Sequence, residues 1–466
     1  MSYLLVLSIS FIISLFLTKK IWEASKEIYF LLGLFLIYYW TLMGGWVFAI
    51  DNLTGTHGGD IGIHYYTYFD ILFPVKLNTS YLYALIFYAL FFIIMQATIL
   101  FFIQKTNRPS IAKEKDTEVI TLSNLKIIGL CVLCVFISYA FIHQQVLKAI
   151  NTGKSLYIVT RGEPDKFFSL HQIFNEIAIG PLLIGFAVFL GGNDGIFIKT
   201  NSSEKKYFAL YILAILFVIL YLGLLGDKHE LFFSGIVGLL FYLANVKKKR
   251  KIANILILFF IVSIPLFFID IIRGLPILSS LLNKGTEHIA SHPTSAPSIL
   301  SGFFSNEMFA AHFSMYGVLE YRVPFTYGYS FFTLISSFIP RLILPERPMD
   351  AYTHYANSVG ASNIEGYTIH HASAWYINFG LFGVILGAII LGYLWASCYR
   401  LAKNWTAHKS TFIRLFSIIS PYLFVGFIPI LIRSGIEGYK PLATEGFLLP
   451  VIILFLCCKK TTTKIR

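Results

Sequence analysis

Long apolar runs constrain this chain more than any other feature. Eleven stretches carry almost no charge: 2–18, 29–50, 80–103, 125–146, 176–192, 207–225, 231–245, 252–271, 377–398, 412–432 and 443–458. A run of about 20 residues, coiled as a helix, matches the ~30 Å hydrocarbon core of a bilayer. Lipid offers no partners to backbone N–H and C=O groups, so only helices and closed barrels cross it. A barrel would show alternating segments of about 10 residues, and these runs are continuous. The expected fold is all-α: a polytopic integral membrane protein with about 11 transmembrane helices and one large external loop, 272–376. The first run has no basic segment ahead of it, which reads as a retained span. No internal repeat is visible, so residues 1–466 are expected to form a single transmembrane domain.

A net charge of +13 raises nucleic acid as a partner, and its distribution argues against that. Of 37 basic residues, 24 fall in alternate connectors. These are Lys19, Lys20 and Lys26; Lys105, Arg108, Lys113, Lys115 and Lys126; Lys199, Lys205 and Lys206; the run 247–251; Arg400, Lys403, Lys409 and Arg414; and Lys459, Lys460, Lys464 and Arg466. By the positive-inside rule those connectors are cytoplasmic, with the amino terminus outside and the carboxyl terminus inside. Such basic tracts face anionic inner-leaflet lipid. No aromatic-interleaved motif points to nucleic acid. Outside, the cations differ in kind: 6 of 11 arginines but only 7 of 26 lysines are external. The arginines are Arg161, Arg273, Arg322, Arg341, Arg347 and Arg433. Guanidinium groups grip phosphate through paired hydrogen bonds; pairing with the external acids is the structural alternative.

Several chemistries lack their motifs. There is no GxSxG, Walker loop or GxGxxG after a strand, and no cytosolic nucleotide-binding domain. An ATP-driven pump and a nucleotide-sugar transferase are therefore unexpected, and no cofactor is implied. Cys131 and Cys134 form a CxxC at helical spacing inside a span, where they read as packing residues. His370-His371 has no HExxH or DxD beside it, so no metal is expected.

The long loop carries the densest polar chemistry. Residues 299–319 read as an interfacial helix, and 331–339 as a short apolar segment ending at Pro340. Glu307, His312, Glu320 and Arg322 oppose a crossing here. Pro340-Arg341 and Pro345-Glu346-Arg347-Pro348 make a rigid corner, since proline fixes φ and removes donors. That corner either aims two arginines at a ligand or lets them snorkel to headgroups. His370 and His371 are candidates for a general base or a phosphate donor, or for an interfacial polar pair. Arg433 and Glu437 stand at i,i+4, an ion-pair spacing, in the last external connector. Asp227, Lys228, His229 and Glu230 crowd a five-residue hairpin, and Arg161 lies in a Thr-Arg-Gly-Glu-Pro turn.

Three of these stretches together resemble the O-antigen polymerases of the Wzy type, a broad group of oligosaccharide repeat-unit polymerases. They are Phe338-Ile-Pro-Arg-Leu-Ile-Leu-Pro-Glu-Arg-Pro348, His370-His-Ala-Ser-Ala-Trp-Tyr-Ile-Asn-Phe-Gly380 with Gly383, and Arg433-Ser-Gly-Ile-Glu437. Ala374-Trp375 departs from the acid that many members carry there. The resemblance implies a GT-C-like, metal-independent glycosyltransferase in a bacterial cytoplasmic (inner) membrane. Its substrate would be undecaprenyl-pyrophosphate-linked oligosaccharide, polymerised at the outer face into O-antigen or related polysaccharide. Arg161, Asp227, Lys228, Arg273, Arg322, Arg341, Arg347, Tyr376 and Arg433 would bind substrate, and His370, His371 or Glu437 would serve as acceptor base. A chain-length regulator is a further partner compatible with that class. An O-antigen ligase and a flippase of the lipid-linked unit are the alternatives.

Overall fold

The apolar runs are helices. The structure, a computed structural model, describes residues 2–54, 75–106, 119–153, 156, 159, 168–192, 195–226, 228–246, 252–274, 308–339, 344, 346–360 and 368–459. In chain order the helices begin with α1 (Ser2–Ser25), α2 (Ile28–Tyr38), α3 (Gly44–Thr54), α4 (Thr79–Thr106) and α5 (Asn124–Thr152). They continue with α6 (Phe168–Gly191), α7 (Lys205–Leu225), α8 (Lys228–Asn245), α9 (Ile252–Gly274) and α10 (Met308–Glu320). Next are α11 (Tyr329–Ser337), α12 (Ala351–Ser358), α13 (His371–Lys403), α14 (Thr411–Arg433) and α15 (Leu449–Leu456). A π-helical segment, Tyr39–Met43, joins α2 to α3, and another, Leu442–Leu448, leads into α15. Strands β1 (Ile120–Leu122), β2 (Ile198–Thr200) and β3 (Cys458–Lys459) complete the described elements.

Among the described residues nine helices are long and apolar enough to cross a membrane. They match nine of the eleven expected spans. The other two expected spans, 231–245 and 252–271, coincide with shorter apolar helices, His229–Asn245 and Ile252–Pro265. At the ninth expected span, helical structure runs from His371 rather than residue 377, with a break at Phe379 and Gly380.

The chain divides into two compact units, each assembled from three separated stretches. The first comprises Met1–Ser110, Thr294–Arg400 and Phe427–Ala443. Here α1 lies parallel to α4: Tyr3 donates to the Asn78 carbonyl near their starts, and Gln96 donates to Thr18 and the Ser14 carbonyl near their ends. Of the segment 299–319, expected as an interfacial helix, residues 299–307 lie outside the described residues; the rest lies on α10, where Ala310 through Val318 are all buried. Small residues permit this, since Ala310, Ala311, Ser314 and Gly317 let neighbours approach closely. Tyr355 of α12 packs directly over Gly317.

The second unit comprises Ile111–Pro293, Leu401–Gly426 and Thr444–Arg466. Its centre is α6, flanked by α5, α7, α8 and α15 and buried almost continuously from Ile177 to Phe189. At one end the three strands pair in the order β2-β1-β3, parallel then antiparallel. Asn245, ending α8, seals the same corner through the Phe197 and Ile198 N–H groups and the Ile198 carbonyl. Trp405 stands edge-on to Phe197, with the Arg414 guanidinium over its ring. Chain segments bordering five of the six basic connectors thus meet at one end of this unit.

Candidate functional site

Two of the three sequence motifs close upon each other in the first unit, and the third leads into the same cluster. Ile369 bridges to Ser434 in parallel β fashion. His371 Nδ1–H donates to the Gly435 carbonyl at 2.8 Å, leaving Nε2 to accept from the Tyr439 hydroxyl (2.9 Å) and Trp375 Nε1–H (3.0 Å). Glu437 Oε1 accepts the Ala351 N–H at 2.9 Å, the first peptide N–H of α12. Asp350 caps the same helix by accepting Thr353 N–H. Arg347 precedes Ala351 by four residues, so the two backbones lie within about 14 Å. Its guanidinium is half-buried and donates to the Ile339 carbonyl.

The Asn-Phe-Gly stretch has a clear local cause. Helix α13 is broken at Phe379 and Gly380, the latter at φ +59, ψ −146, a region open essentially to glycine. Asn378 stitches the break: its amide accepts from Thr326 and donates to Ser330 and to the Ala374 carbonyl. Beyond the break Gly383 passes so close to the Trp375 carbonyl that an added Cβ would sit 2.1 Å from its oxygen. The segment before the break is therefore a separate, nearly fully buried helix carrying His371 and Trp375.

His370 belongs to a buried polar network around α10. Its Nδ1 accepts the Ala372 N–H, so Nε2–H donates to Thr41 Oγ1 at 3.1 Å. The Thr41 carbonyl, within the π-helical segment, accepts His312 Nδ1–H at 2.9 Å, while Tyr81 donates to His312 Nε2 at 2.8 Å. Tyr88 donates to the Ala311 and His312 carbonyls and lies 3.1 Å from Ser373 Oγ. Burial pushes His312 down to about 4, against the Thr41 carbonyl, and holds His370 well below the ordinary range with help from His371 and His312. Both rings of the His370-His371 pair are fully buried, and all four of their nitrogens are engaged.

Glu437 differs. One oxygen is committed to Ala351, and the other is buried and without a hydrogen-bond partner among the described residues. It borders Gly435, 3.3 Å from where a Cβ would stand. Burial first, then Asp350, raises this carboxyl to about 7, opposed by the Ala351 N–H and its own N–H. The i,i+4 ion pair with Arg433 is not formed: α14 ends at Arg433, and Gly435, at φ +63, turns the chain before Glu437.

The remaining candidates are scattered or unseen. Arg322 is exposed in the turn after α10. Tyr376 is half-buried and stacks on Phe87 at 5.3 Å. Arg433 is half-buried at the end of α14. Lys228 opens α8 and Arg273 is the penultimate residue of α9. Arg161, Asp227 and Arg341 lie outside the described residues. Sequence reasoning did not single out Thr41, Tyr88, Ser314, Ser373 or Tyr439: Thr41 and Tyr88 are isolated hydroxyls in apolar runs, and the other three carry no spacing that marks them from their neighbours. Among the described residues no three His, Cys, Asp or Glu side chains converge as metal ligands.

Fold and composition together define a helical multi-pass membrane protein with a convergent polar cluster at its late loops. Comparison with protein families, curated proteins and solved structures finds no match for this chain.

Proposed function

We propose that this protein is a lipid-donor glycosyltransferase that polymerises undecaprenyl-pyrophosphate-linked oligosaccharide repeat units at the outer face of a bacterial cytoplasmic membrane. The observation that carries the reading is Glu437: a buried carboxyl raised to about 7, with one oxygen unpartnered among the described residues. It stands in the connector that begins with Arg433 and holds the helix that follows the Pro-Arg corner. A base poised near working pH combines availability with driving force.

In this mechanism Glu437 Oε2 takes the proton of the acceptor sugar hydroxyl. The hydroxyl oxygen attacks the anomeric carbon of the donor glycan, and the bond from that carbon to the phosphate oxygen breaks. Undecaprenyl pyrophosphate leaves with the electron pair, and the anomeric configuration inverts. Arg341, Arg347 and Arg433 neutralise the charge that develops on the leaving group, where preformed donors act most strongly. His370 and His371 hold the frame rather than move protons, since no ring nitrogen is open.

The test is a surface-glycan gel from a strain lacking the gene, complemented with the wild type, Glu437→Gln or Arg347→Ala. A ladder collapsed to one repeat unit, restored only by the wild type, is the expected outcome. Complete loss of surface glycan assigns ligation or flipping instead. An unchanged ladder in the deletion strain sinks the proposal.

A further inference from the structure

A second polar feature lies far from Glu437 along the first unit. Helices α4 and α13 run in the same direction and touch where Gly392 meets α4: a Cβ there would fall 2.7 Å from the Met95 carbonyl oxygen and 2.9 Å from Thr98 Cβ. One to two turns later a cleft lies between the helices. The cleft between them is a cavity of about 230 Å³ lined by Phe102, Lys105, Thr106, Ala396, Ser397 and Arg400. Trp375, beside His371, packs on Gly387, and Arg400 follows Gly387 by 13 residues, roughly 20 Å of helix, so this cleft is separate from the cluster around Glu437.

The lining is chemically one-sided. Lys105 comes from one helix and Arg400 from the other, and both are exposed. Neither makes an ion pair with an acid among the described residues. Two like charges at one mouth repel, and the C-terminal carbonyls of both helices offset only part of that. An anion between them removes the repulsion and receives the Ser397 hydroxyl as a further donor. The Thr106 hydroxyl is already used on the Phe102 carbonyl. Phe102 packs edge-on against Tyr393 at 4.9 Å and against Phe101 at 5.2 Å. Phe101 and Tyr393 are themselves exposed, so an apolar wall continues from the cations along the spans.

We propose that this cleft binds the phosphate headgroup of an anionic membrane lipid, with its acyl chains along Phe101, Phe102 and Tyr393. Cations at the last turn of two spans, joined to an apolar flank, suit a ligand that is charged at one end and hydrocarbon at the other. A free phosphate shares the headgroup chemistry but makes no use of the flank. The inference stands independently of the proposed transferase activity.

The test uses the full chain purified in detergent, with phosphatidylglycerol, phosphatidylcholine of the same acyl chains and inorganic phosphate as probes. Native mass spectrometry reads occupancy, and thermal unfolding reads stabilisation. Wild type should retain phosphatidylglycerol over phosphatidylcholine by roughly thirtyfold, as two headgroup-level cations imply. The K105Q/R400Q pair should lose that preference. S397W fills the cleft without changing charge and should lose it too, while K20Q should keep it. Equal preference in wild type and in both cleft variants overturns the proposal. Inorganic phosphate alone reproducing the full stabilisation also overturns it and assigns a free-anion site.

Discussion

A carboxyl group poised at about 7 couples pH to both rate and stability, and for Glu437 the two effects have opposite signs. As the proposed base it must be ionised, so the proposed polymerisation should rise as pH climbs through about 7. Glu437→Gln, measured in membranes with purified lipid-linked substrate, should flatten that profile and lower the rate by about 10²–10⁴-fold. For stability, below about 4.5 the group is protonated in folded and unfolded chains alike. Between about 4.5 and 7 the folded chain keeps a proton the unfolded chain has lost, so stability falls as pH rises. Glu437→Gln should therefore be more stable than wild type at pH 8, by up to about 3 kcal/mol, and about equal at pH 4.5. Thermal unfolding in detergent reads this difference; lower stability of the variant at pH 8 would assign Glu437 a purely structural role. His312 has the converse sign. Its folded value of about 4 lies below the ordinary 6.5, so stability should fall as pH drops from 6.5, with His370 adding in the same direction. Unfolding at pH 7 and pH 5 in the Glu437→Gln background isolates that loss. At this scale the sequence displayed Glu437 and the histidine pair as candidates together. It did not separate them, because the separation depends on who donates to each ring nitrogen across more than 60 residues of chain.

Helix α13 shows what a helical element hides from its own sequence. The Asn-Phe-Gly stretch was legible as a motif beside a span, but hydropathy averages over a window and cannot register a single residue at positive φ. The structural requirement is testable. Gly383→Ala puts a methyl against the Trp375 carbonyl, 2.1 Å from its oxygen, and should destabilise by about 1–3 kcal/mol, the range for overpacking. Gly129→Ala, where nothing lies within 4 Å, should be neutral or stabilising by up to about 1 kcal/mol. Thermal unfolding of the two variants makes the comparison; equal behaviour would mean the break relaxes around the new side chain. Enclosure of α10 was equally unreadable, because its small residues and single histidine look like those of a surface helix until Thr41, Tyr81 and Tyr88 are brought to it.

At the scale of the molecule the apolar runs located the nine candidate spans among the described residues to within a few residues at most ends, since hydrocarbon thickness sets the length of such a run whatever the packing. Which connectors share a side was read from lysine and arginine counts, and the meeting of chain segments that border five of the basic connectors at one end of the second unit supports that grouping. Orientation is checked with single cysteines. Met349→Cys should react with a membrane-impermeant maleimide in intact cells, and Lys206→Cys only after permeabilisation; the reverse pattern would invert the topology and remove the proposed substrate from the reacting loops. The division into two interleaved units lay beyond sequence reading, because each unit is drawn from three separated stretches. Strand β3 at residues 458–459 bears on biogenesis. Strands β1 and β2 emerge from the ribosome within about 80 residues of each other, but the Thr121–Lys459 and Leu122–Cys458 pairings must wait until β3 has been made, about 260 residues after β2. The second unit therefore closes only after β3 has been made, and a nascent chain arrested before residue 458 remains open at the end that carries the three strands, however completely its helices have formed.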